Sequence, residues 1–143
     1  MTEISFYLLS ARTEQDRYLF ACKLIEKAWR LQQATYLYTQ NTEQSELLDN
    51  LLWTFRAGSF VPHDIYYTNQ LPEIRQTVLI GTQAAPTDWQ KILINVSPDL
   101  PPYSDQTDKV LEILENDDAV RQAGRQRYRQ YKEQGLHITT HHI

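Results

Sequence analysis

The sequence predicts a layered α/β domain built on a mainly parallel sheet, and three observations predict it. The opening of the chain alternates short β-branched and aromatic runs with longer stretches of helical spacing, a β-α-β-α order that leads to parallel strands. Two later apolar runs, Thr77 to Gly81 and Lys91 to Val96, read as strong strands. Finally, 143 residues with 41% hydrophobic and 22% charged content are the dimensions of one globular domain with a real core.

The elements follow in order. Ile4 to Leu9 is a short apolar run and predicts a buried strand. Thr13 starts a helix, with Glu14 and Asp16 favouring its N-terminal dipole. Tyr18, Cys22, Ile25 and Trp29 repeat at helical spacing to about Gln33. Ala34 to Thr39 predicts a second strand, and Asn41 or Thr42 caps a helix with Leu47, Leu48, Leu51, Leu52 and Phe55 on its apolar side. From Arg56 to Gln76 the pattern breaks: Ser59 to His63 is an apolar segment closed by proline, Asp64 to Tyr67 suggests a short edge strand, and Thr68 to Gln76 reads as a loop. After the strong strands, Thr107 begins another helical pattern with Val110, Leu111, Ile113 and Leu114. Asn116 to Asp118 interrupts it and can cap a final helix that stops near Gly135. The tail, Leu136 to Ile143, alternates in character and is expected to add an edge strand.

Charge is spread unevenly. Residues 1–120 hold 9 Lys and Arg against 17 Asp and Glu, a balance of −8, whereas residues 121–143 hold 5 against 1, a balance of +4. An acidic body is unlike a general DNA binder and more like a protein with one dedicated anion-binding patch. That patch is RQAGRQRYRQYK, residues 121–132, which carries five of the 14 basic residues and no acid. On a helix, Arg121, Arg125, Tyr128, Arg129 and Lys132 share one face. Val120, Ala123, Gly124 and Tyr131 share another that can dock on a core, with Arg127 intruding on it. A merely solvated surface helix would carry such a basic face as well.

The search for catalytic chemistry returns little. There is no G-x-x-x-x-G-K-[ST] and no G-x-G-x-x-G, and four glycines in all could not build a phosphate cradle. No G-x-S-x-G elbow is present, and Cys22, the single cysteine, reads as a small buried hydrophobe in a reducing compartment. His137 and His141 are four apart, but in a strand that spacing does not converge on a metal. With no signal-peptide pattern and no apolar run of membrane-spanning length, a soluble, cytoplasmic protein is expected.

Two candidate binding surfaces remain. Trp53, Phe60, Val61 and Pro62 form an apolar group near the end of a helix; Phe60 and Val61 either fold back onto the core or leave a patch for a partner. The second surface is the basic face of the last helix together with Val110 and Leu114. It suits an anionic, partly apolar ligand, because arginine can grip a carboxylate while apolar neighbours hold an aromatic side chain.

Four segments, taken in order, carry a resemblance. They are Phe6-Tyr7-Leu8-Leu9; Trp53-Thr54-Phe55 followed by Ser59-Phe60-Val61-Pro62-His63; Ile92-Leu93-Ile94-Asn95 with the prolines after it; and Arg125 to Tyr131, an R-x-R-Y-[KR]-x-Y pattern. In order and spacing the chain resembles, end to end, the chi subunit family of bacterial DNA polymerase III. The resemblance implies a single three-layer α/β/α domain over residues 1–143, nucleotide-binding-like in topology but without a phosphate loop. It also implies a non-catalytic accessory subunit of the clamp-loader assembly that needs no cofactor. The implied partners are the psi subunit and the acidic C-terminal tail of single-stranded DNA-binding protein, which ends in Asp-Phe-Pro-Phe. Carried over by position, Arg125, Tyr128 and Arg129 would bind that tail, with Leu114 lining the apolar pocket. Phe60, together with Trp53 and His63, would face psi. Arg129 stands where some members carry lysine, and residues 68–76 and 137–143 carry no transferable motif.

Two other classes compete with this reading. A direct single-stranded nucleic-acid binder would use residues 121–132 with Tyr128 stacking on bases, against the repulsion of the acidic body. A nucleotide-dependent enzyme on the same topology would need the phosphate cradle that the glycines do not supply.

Overall fold

The first apolar run forms β1 (Glu3–Leu8), and the last third of the chain closes around it. The computed structural model describes residues 1–67, 70–73 and 76–143, so the expected loop at 68–76 lies partly outside the described residues. The remaining strands are β2 (Thr35–Tyr38), β3 (His63–Ile65), β4 (Val78–Gly81), β5 (Ile92–Asn95), β6 (Lys109–Leu114) and β7 (His137–His142). Among the described residues all pairings are parallel, in the order β3-β4-β2-β5-β6-β1-β7. The mainly parallel sheet is thus wholly parallel, and the segments expected at its margins, β3 and β7, are its two edges.

Among the described residues three α-helices make the outer layers: α1 (Glu14–Arg30), α2 (Thr42–Thr54) and α3 (Asp118–Glu133). Each starts on the side chain that caps it. Thr13 Oγ1 accepts from the Asp16 amide at 3.1 Å, Asn41 Oδ1 from the Gln44 amide at 2.8 Å, and Asp117 Oδ2 from the Val120 amide at 3.1 Å. Gln44 returns the bond by accepting from the Gln40 amide at 2.7 Å, close to a capping box. After α3, Gly135 adopts φ +76°, the left-handed turn that ends a helix at little cost for glycine.

The strands face both layers. Leu37, Ile80, Ile94, Leu111 and Ile113 pack with Tyr18, Cys22, Ile25, Leu48 and Leu52 of α1 and α2. On the opposite face Ile4, Phe6, Tyr36, Leu93, Val110 and Leu114 pack with Tyr131 of α3 and Trp89 of a short 3-10 turn. The result is three layers with a core on each side of the sheet.

One element departs from expectation. The helix expected from Thr107 onward is β6, lying between β5 and β1. A central parallel strand is covered on both faces, so apolar residues occupy it without alternation. Val110 and Leu114 point to the α3 side, and Leu111 and Ile113 to the α1 and α2 side. Leu114 therefore reaches the candidate site from a strand, not from a helix.

Candidate functional site

The position of α3 is set by a charged group inside the protein. Glu112 of β6 is fully buried, and Arg127, 4% exposed, bonds its Oε1 through Nε at 3.2 Å and Nη2 at 3.1 Å. Arg127 Nη1 also donates to the Pro98 carbonyl at 2.8 Å, and the Tyr131 hydroxyl donates to Glu112 Oε2 at 2.6 Å. Burial, with the neighbouring Glu112 charge, raises the Tyr131 phenol above its ordinary range, so it remains a donor. Arg127 does not intrude on the docking face of α3; it is the strut that fixes it. With the helix held at this rotation, the flank that carries Arg121, Gly124, Arg125 and Tyr128 overhangs Leu8 of β1 and Leu114 of β6.

Beneath that overhang runs a groove of about 320 Å³. Phe6 and Leu8 of β1 and Leu114 of β6 give it an apolar floor, and Thr140 of β7 closes one side. Arg121, Gly124, Arg125 and Tyr128 of α3 form the other wall. The Tyr128 ring lies 5.5 Å from Phe6, tilted by 52°, which ties the aromatic wall to the floor. The two arginines differ in what they can do. Arg121 is half-buried and already committed: its Nη2 donates to the Leu9 carbonyl at 2.9 Å and its Nε to that of Glu115 at 3.3 Å. It pins the first turns of α3 to the ends of β1 and β6, so it is not the free member of a basic face that helical spacing alone suggests. Arg125 is exposed and makes no ion pair among the described residues. A cation over an apolar, aromatic slot can take a group that is both carboxylate and ring.

The structure therefore brings together Leu114, Arg125 and Tyr128. Arg129 is exposed one turn further on and does not line the groove. Phe6, Leu8 and Thr140 were not singled out for this site by sequence. They enter it because β1 is inserted between β6 and β7, an arrangement that no local motif displays.

The second surface lies at the far end of the sheet. The alternatives for Phe60 and Val61 divide between the two residues: Val61 is buried at 1% exposure, whereas Phe60 is 79% exposed. Trp53 is 58% exposed, and its ring sits 4.4 Å from that of His63. His63 itself is buried beneath it, with ring nitrogens 2.8 Å from the Val61 carbonyl and 2.9 Å from that of Asp49. It anchors the start of β3 to α2, and Trp53 and Phe60 are the groups presented to solvent.

Other chemistry finds little footing. Among the described residues no cluster of three His, Cys, Asp or Glu side chains could hold a metal, and no helix is long and apolar enough to cross a membrane. Cys22 is fully buried, and burial pushes its thiol up to about 12, the opposite of an activated nucleophile.

Comparison with known proteins agrees with this architecture. The family model described as "DNA polymerase III chi subunit, HolC" matches residues 1–139. A DNA polymerase III subunit chi from Pseudomonas aeruginosa is 32% identical over 143 residues, covering 100% of this chain and 98% of that relative. The Escherichia coli subunit chi is 26% identical over 145 residues, covering 98% and 97%, and that of Haemophilus influenzae is 24% identical over 139 residues, covering 96% and 95%. Among solved structures, the crystal structure of T4 UvsW superposes with a TM-score of 0.66 at 8% identity, over 99% of this chain and 41% of that longer one, a likeness of fold alone. The chain belongs to the DNA polymerase III chi subunit family.

Proposed function

We infer that this member of the chi family, a replication accessory subunit, acts as a non-catalytic adaptor in the cytoplasm. Its groove would hold the acidic C-terminal tail of single-stranded DNA-binding protein, and its exposed Trp53 and Phe60 surface would take the psi subunit of the clamp-loader assembly. The protein would so tether the replicase to coated single-stranded DNA. One observation carries the reading: the exposed Arg125, without an ion pair among the described residues, borders an apolar slot floored by Phe6, Leu8 and Leu114 and walled by Tyr128. A peptide ending in Asp-Phe-Pro-Phe offers the matching pair of groups, an aromatic ring and a terminal carboxylate. Arg129, one helical turn on, meets the acidic residues upstream. His63 serves the psi-facing surface by holding Trp53 in place.

The test is a fluorescence-anisotropy titration of a labelled Asp-Phe-Pro-Phe tail peptide against wild type, Arg125→Ala and Arg129→Ala, with an equal-length single-stranded oligonucleotide alongside. Saturable binding that weakens with salt and falls about tenfold or more in Arg125→Ala supports the adaptor. Absence of peptide binding at low salt would sink the site. Tight oligonucleotide binding in its place would promote a direct nucleic-acid binder working through the same basic helix.

A further inference from the structure

At Gly124, nothing separates the backbone of α3 from the side chain of Leu114. A Cβ placed there would lie 2.4 Å from Leu114 Cδ1, 3.1 Å from Cδ2 and 3.3 Å from Cγ. All three nearest atoms belong to one side chain, so the conflict is with Leu114 and not with the sheet in general. Leu114 is 3% exposed and packs in the α3-side core with Phe6, Val110 and Tyr131. Close-packed interiors leave no slack on those sides. The open side is the groove, whose floor Leu114 helps to form. A methyl at position 124 would therefore drive the leucine tip into the space that a ligand's ring would use.

We propose that Gly124 is a positioning residue for ligand recognition: by carrying no side chain it lets Leu114 lie low beneath α3, and so sets the groove deep enough for an aromatic ring. The inference rests on the tail-binding reading of the groove and names what selects the peptide's terminal phenylalanine. It carries a signature that a purely structural role would not. Glycine is the poorest helix former after proline, so Gly124→Ala favours α3 while closing the groove. The helix gain offsets the cost of moving one leucine tip, so the fold is kept while affinity for the phenylalanine peptide falls.

The experiment uses the full chain and two labelled peptides, ending in Asp-Phe-Pro-Phe and Asp-Phe-Pro-Ala. It compares wild type, Gly124→Ala and Gly124→Ala combined with Leu114→Val, the last removing the Cδ atoms that clash. Gly124→Ala is expected to lose about tenfold or more for the phenylalanine peptide, the scale of one misplaced methylene in an apolar pocket. The preference for phenylalanine over alanine should shrink, the variant should stay folded by circular dichroism, and Leu114→Val should restore binding. Undiminished binding in Gly124→Ala, or a folded double variant that is not rescued, overturns the proposal. If wild type binds neither peptide, the tail reading is what has failed. The methyl resonances of Leu114 then decide the packing claim alone: displacement in Gly124→Ala beyond that in Gln122→Ala supports it, and its absence overturns it.

Discussion

Replacing Arg127 by methionine tests the account of how α3 is held. Methionine retains much of the apolar stem and deletes the guanidinium. Glu112, fully buried, would keep the Tyr131 hydroxyl at 2.6 Å and the Asn95 amide at 3.0 and 3.1 Å from its two oxygens, but would lose its counter-charge. The Pro98 carbonyl would lose its donor at 2.8 Å. Stranding one member of a buried ion pair costs about 3–5 kcal/mol, a large share of the ~5–15 kcal/mol by which domains are stable. For a chain of this length that lowers the thermal midpoint by roughly 10–20 °C. Adding Glu112→Gln removes the stranded charge and should recover most of the loss, because the two residues are coupled. Urea unfolding of wild type, both single variants and the double variant, followed by circular dichroism and tryptophan fluorescence, closes the cycle. A cost under about 1 kcal/mol for Arg127→Met, or a second substitution that only adds to the damage, would refute the reasoning.

Three further outcomes follow from the geometry. Phe60 is 79% exposed, so Phe60→Ala should leave the unfolding free energy within about 0.5 kcal/mol of wild type while abolishing the co-purification that the proposed psi contact entails; a large loss of stability would show that the ring is core. The Glu26 carboxyl is held below its ordinary range, first by a hydrogen bond from Arg56, with Ser59 and the charge of Arg30 assisting against burial. Its stabilisation is complete above the unfolded value near ~4.3 and is lost as pH falls through the lower folded value, so Glu26→Gln should flatten the acid limb of the stability profile. An unchanged slope would contradict the assignment. Cys22, with its thiol at about 12 and its side chain buried, should resist iodoacetamide at neutral pH in the native protein and react once in urea; fast native labelling would place it at the surface.

Much of the architecture was legible because it is written locally. The helix start at Thr13, a cap at Asn41 or Thr42, a cap within Asn116 to Asp118 and a stop near Gly135 are short-range signals, and the structure narrows them to Thr13, Asn41, Asp117 and a left-handed turn at Gly135. The error at β6 has a physical cause. Val110, Leu111, Ile113 and Leu114 flank a glutamate, and a charge inside an apolar run mimics one polar face of a helix. Glu112 is accommodated in a buried strand by the guanidinium of Arg127, fifteen residues on, with Tyr131 and Asn95 donating to the same carboxyl. Each residue looks misplaced until the other is in view, and nothing local joins them. The candidate site divides in the same way. Arg125 and Tyr128 are visible as a basic, aromatic helix face, whereas the commitment of Arg121 to the Leu9 carbonyl and the floor of Phe6 and Leu8 depend on which strands become neighbours.

The insertion of β1 between β6 and β7 also constrains the order in which the chain can fold. Glu3 to Leu8 pairs on one side with residues 109–114 and on the other with residues 137–142. During synthesis β1 leaves the ribosome before β2 to β7 and finds its permanent neighbours last. Until then its apolar run, Ile4 to Leu9, has no lasting partner, the state in which nascent strands are most open to association with other chains. Contacts of such long sequence separation also slow folding. The groove, whose floor and walls come from both extremities of this range, is therefore among the last features of the protein to exist.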